Sequence, residues 1–83
     1  MNIVDYKELK LLMRGKARLA RGLVNLLKDD TEQIYNDVNV FDIIGLEETI
    51  RDTKRTAQQL LDATTDLEYY LLLAKQDKID IDV

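Results

Sequence analysis

The chain has 83 residues and a mass of 9.6 kDa, with 12 basic and 16 acidic side chains and a formal net charge of −4. That is the size of one domain, and residues 1–83 are read as a single helical unit. His, Cys, Ser, Trp and Pro are absent, which removes disulfides, Cys/His metal sites, Ser or Cys nucleophiles and imidazole acid–base chemistry.

The first segment opens on a helix-start signal. Asp5 and Glu8 have capping-box spacing, with Val4 and Leu9 placed as a hydrophobic staple. From there Leu9, Leu12, Met13, Ala17, Leu19, Ala20, Leu23, Val24, Leu26 and Leu27 fall in one half of a helical wheel. Lys7, Lys10, Arg14, Arg18, Arg21 and Lys28 fall on the other side. The expectation is an amphipathic helix over about 6–28 with a basic stripe. Lys16 lands inside the apolar arc, where its stem can lie on carbon and its ammonium reach the edge. Leu11 lands outside it.

Asp29 and Asp30 read as the stop of this helix and the cap of the next, since Asp29–Glu32 and Asp30–Gln33 repeat the capping-box spacing. Between 31 and 45, β-prone Val38, Val40 and Phe41 mix with turn-prone Asn36, Asp37 and Asn39, which predicts a short helix followed by an irregular turn. Gly45 is the expected break before the third segment. From Leu46 the inward residues run Leu46, Ile50, Thr53, Ala57, Leu60, Thr64, Leu67, Leu71, Ala74, spaced four and three in alternation. This predicts a helix over about 46–77. Residues 78–83 alternate Ile and Val with Asp, the pattern of an extended or frayed tail.

A helix of that length projects beyond a compact body of this size. Its end, Leu67 to Leu73, is apolar nearly all round and expects neighbours on more than one side. The fold class is therefore all-α: an elongated hairpin of two long helices, completed as a bundle by homodimerisation. Leu46, Ile50, Ala57, Leu60, Leu67 and Leu71 form the expected oligomer seam.

Function follows by elimination and charge. The carboxylates have no cleft to separate and desolvate them, so no catalytic residue, metal ligand or cofactor is assigned. Residues 1–28 carry seven basic and two acidic side chains, and residues 29–83 five and fourteen. Such asymmetry marks a chain that meets something charged. The reading is a small non-catalytic binding module, an adaptor, inhibitor or assembly factor acting on another protein. Lys10, Arg14, Arg18 and Arg21 would dock electrostatically, and Tyr69, Tyr70 and Leu73 would make buried contact. The alternative is nucleic-acid binding by the basic stripe, against which the sequence pI of about 4.7 weighs. No stretch has the ~20 apolar residues of a membrane span, and a cytoplasmic setting is expected.

Overall fold

The computed structural model describes residues 5–82, with side chains to Gln76. Two helices account for nearly all of it: α1 over Tyr6–Asn39 and α2 over Ile43–Asp82. They lie antiparallel as one rod with extents of 61 × 15 × 15 Å and a radius of gyration of 18.5 Å. A compact chain of this length would have a radius near 12 Å.

α1 begins as its capping signal predicts. Asp5 is the N-cap and its carboxylate accepts from the Lys7 amide at 2.9 Å. Val4, its expected staple partner, lies outside the described residues. The expected stop at Asp29–Asp30 does not occur: α1 continues unbroken to Asn39. Local preference is overridden here by packing, because Asp30, Ile34 and Asp37 extend the face turned to α2. No Gly or Pro intervenes to break it. The separate short helix over 31–45 is thus the last turns of α1.

The turn is only Val40, Phe41 and Asp42. It closes through Val40 N–H to Asn36 O at 3.1 Å, Phe41 N–H to Val38 O at 3.1 Å and Asp42 N–H to Asp37 O at 2.9 Å. Phe41 has φ of 55°, in the left-handed region that a bulky residue rarely adopts. Asp42 then caps α2, accepting from the Gly45 amide at 3.0 Å. Gly45 is therefore not the break before α2 but its third residue. A Cβ there would collide with the Asp42 carboxyl group, whose Cγ would lie 2.9 Å away. At the far end α2 stays helical to Asp82. The alternating stretch after Lys78 is thus carried on as helix, with no Gly or Pro to end it, while its side chains lie outside the described residues.

The seam follows a heptad on both sides. In α1 every buried or half-buried residue falls on the series 9, 13, 16, 20, 23, 27, 30, 34, 37. In α2 the matching series is 46, 49, 53, 56, 60, 63, 67, 70, 74, helped by Gly45, Asp66 and Leu73 at its edge. This is the strict three–four alternation of a two-helix coiled coil. The core it makes is thin. Only Leu9, Leu23 and Ala63 are buried apolar residues among those described.

The sequence pattern for α2 shares 46, 53, 60, 67 and 74 with the seam against α1, while its companion column 50, 57, 64 and 71 lies outside that intramolecular seam. Thr49, Thr56, Ala63 and Tyr70 face α1, whereas Ile50, Ala57, Thr64 and Leu71 are exposed. Ala63 and the threonines permit the close approach. Thr53 and Thr56 donate within α2, to Thr49 O at 2.7 Å and Asp52 O at 3.0 Å, while the Thr49 hydroxyl is shared between Gly45 O at 2.8 Å and the Asp37 carboxylate of α1 at 3.0 Å. Their methyl groups are left for the seam.

Candidate docking surfaces

The antiparallel pairing brings the two sets of predicted contact residues to the same half of the rod. Counted outward from the turn, the seam sets residues 9–20 of α1 alongside 63–74 of α2. The Lys16 ammonium reaches the Asp66 carboxylate at 2.8 Å, within that register. The basic stripe, on the N-terminal half of α1, and the Tyr69–Leu73 segment therefore share the half of the rod away from the turn, with Arg18 and Arg21 near its middle.

Lys10, Arg14, Arg18 and Arg21 are all exposed. Among the described residues none of them lies within ion-pair distance of a carboxylate; the pairs formed are Lys16–Asp66, Glu47–Arg51 and Asp52–Arg55. Lys7, Arg14, Arg21 and Lys28 recur every seven residues, and so form one straight column along the rod. Of the other predicted contacts, only Tyr69 is exposed. Tyr70 and Leu73 are half-buried toward α1, and the Tyr70 ring stacks at a tilt on Tyr69, with centroids 5.9 Å apart and 56° between planes. Tyr70 and Leu73 thus serve chiefly the intramolecular seam, since the heptad that α1 selects runs through Tyr70.

Lys16 behaves as its place in the apolar arc foretells. Its stem lies on the seam and its head pairs with Asp66, whose hydrogen bond and charge hold the ammonium pKa above the ordinary 10.5. Asp66 is thereby drawn to the edge of the seam, while Glu48, Asp52 and Asp62 of α2 stay exposed. Among the described residues one carboxylate is buried: Asp37, on the rung nearest the turn, accepts from Gln33 Nε2 at 2.8 Å and from the Thr49 hydroxyl at 3.0 Å. Both its oxygens are satisfied, so it acts as a structural contact between helices. No group of three or more metal-ligating side chains occurs among the described residues. A shallow depression of about 190 Å³ between Glu68, Leu71, Leu72 and Lys75 is open to solvent.

One surface is missed by the sequence patterns. Val40, Phe41, Ile43 and Ile44 crowd the turn, with Phe41 78% and Ile44 75% exposed. The available signal is an apolar run, Val40 to Ile44, where a connection is ordinarily polar and rich in Gly or Pro. Along the rod, Leu12, Leu19, Val24 and Leu26, all expected inside, are half-exposed. The apolar arc of α1 is simply wider than one neighbouring helix can cover.

No helix among the described residues is long and apolar enough to cross a membrane. Comparison with family models, with curated proteins and with solved structures finds no match to this chain.

Proposed function

We propose that this chain is a non-catalytic protein-binding module, an adaptor, inhibitor or assembly factor that works by occupying an acidic surface of a larger protein. The observation that carries this reading is the row of four exposed cations, Lys10, Arg14, Arg18 and Arg21, along the N-terminal half of α1, none of them within ion-pair distance of a carboxylate among the described residues. A row of like charges steers encounter with a surface of opposite sign, and the exposed Tyr69 ring is a separate candidate contact on α2. The setting is the cytoplasm and the working form is a homodimer.

The test is capture of partners on the immobilised chain from nuclease-treated lysate, beside a variant with Lys10, Arg14, Arg18 and Arg21 all changed to Glu. A protein retained stoichiometrically by the first and lost by the second supports the reading. Retention by both removes the stripe from it. A second reading, phosphate binding by the seven-residue column Lys7, Arg14, Arg21 and Lys28, takes over if all retained material disappears with the nucleic acid.

A further inference from the structure

The chain exposes 6824 Å². A compact monomer of 9.6 kDa exposes about 5,100 Å² by the scaling of area with mass. The excess, about 1,700 Å² per chain, is on the scale of what each partner gives up in an obligate homodimer. The rod is therefore short of cover by roughly one helical face.

Part of that exposed area is apolar surface shared by both helices on one flank of the seam, at Val24, Val38, Ile50 and Leu71. α2 carries two heptad columns that share 46, 53, 60, 67 and 74, and α1 occupies only one of the two possible sides. The unused companion column is Ile50, Ala57, Thr64 and Leu71. In an antiparallel pair, columns at equivalent heptad positions flank the seam on the same side. On α1 the equivalent column is Lys10, Ala17, Val24, Thr31 and Val38. The two together make a lateral face spanning both helices, apolar or small except at Lys10 and the two threonines. The opposite flank differs: Leu12, Leu19 and Leu26 of α1 stand beside Asp52, Gln59 and Asp66 of α2, so only one helix is apolar there.

We infer that a second copy of this chain covers the lateral face formed by Ala17, Val24, Ile50, Ala57 and Leu71, turning two hairpins into a four-helix bundle. Packed there, the columns 50/57/64/71 and 17/24 become inner positions of the bundle, as three apolar positions per heptad require. Small side chains at 17 and 57 let the two rods approach closely. The inference rests on the homodimer proposed above and specifies its interface. It does not depend on the docking stripe.

Sedimentation equilibrium across a concentration series tests it on the full chain, with helicity followed by circular dichroism. The wild type is expected at twice 9.6 kDa, with a Tm that rises with concentration. Val24→Glu and Ala57→Glu, at positions exposed in the hairpin, are expected to give a monomer, and Leu19→Glu on the opposite flank is expected to leave the dimer intact. A wild type that stays monomeric with a concentration-independent Tm overturns self-association itself. A dimer that survives the first two changes but not the third overturns this face and assigns the other. Should the charged variants lose helix, Ala57→Gln serves in their place, with the same expected loss of dimer.

Discussion

The Lys16 ammonium lies 2.8 Å from the Asp66 carboxylate, an ion pair between the two helices near the open end of the rod. Because Lys16 occupies a seam rung, its pairing ties a charged residue into the contact between the helices. Its pKa is raised, first by the hydrogen bond it donates to Asp66 and then by that group's charge. A cation with a raised folded-state pKa contributes stability below its unfolded value of 10.5, and that contribution is lost as pH climbs through the folded value. The Tm difference between wild type and Lys16→Met is thus expected to be constant from neutral pH to about pH 9 and to shrink above 10.5. Thermal melts at a series of alkaline pH values check this. A difference still undiminished above that range refutes the pair as its source.

The buried Asp37 makes a second prediction. Thr49→Val keeps the shape of the side chain and removes one of the two donors to that carboxylate. Leaving a buried oxygen unpaired is expected to cost about 1–3 kcal/mol. Urea unfolding at neutral pH reads this as a lower midpoint with an unchanged slope.

The three glycines should respond in opposite directions. Nothing lies within 4 Å of a Cβ built at Gly15 or Gly22, and each sits inside α1. Alanine at either is expected to stabilise the hairpin by about 1 kcal/mol. At Gly45 an added methyl collides with the Asp42 cap. Gly45→Ala is expected to lower stability by about 0.5–2 kcal/mol, the worth of a helix cap. Denaturant titration of the three single variants decides the signs.

Phe41 holds a left-handed conformation, at φ of 55°, while its ring stays in solvent. Phe41→Asn relieves that backbone at little loss of packing, and is expected to stabilise by about 1 kcal/mol. The measurement is a melt of the variant beside wild type. A lower Tm would mean that the ring makes contacts which the isolated hairpin does not provide.

What the sequence reveals depends on how local each determinant is. Asp5 as a cap, the amphipathic character of α1 and the snorkelling of Lys16 follow from residues within a turn or two of one another. The end of α1 does not. Asp29 and Asp30 carry a stop signal, but Ile34 and Asp37 on the same face continue the packing, and only the presence of α2 makes that continuation count. The choice between two α2 columns is equally non-local. By hydrophobicity Ile50 and Leu71 outrank Thr49 and Tyr70, so the sequence favours the exposed column. Asp37 meeting Thr49 at the turn, and room for close approach at Ala63, fix the other. The docking residues share this history. Cations on an exposed face are visible as a stripe, whereas the division of Tyr69 from Tyr70 between solvent and seam depends on which column α1 selects.

The threonines of α2 leave one more consequence. Since Thr53 and Thr56 each donate to a carbonyl of their own helix, the middle of the seam presents methyl groups with no directional demand on α1. Axial alignment is fastened by polar contacts toward the two ends, Asp37 with Thr49 and Lys16 with Asp66, like a rail clamped at both tips and smooth between. Releasing the Lys16–Asp66 contact would leave the seam beyond the threonines held by side-chain packing alone, while the three-residue turn still fixes the register at the other end.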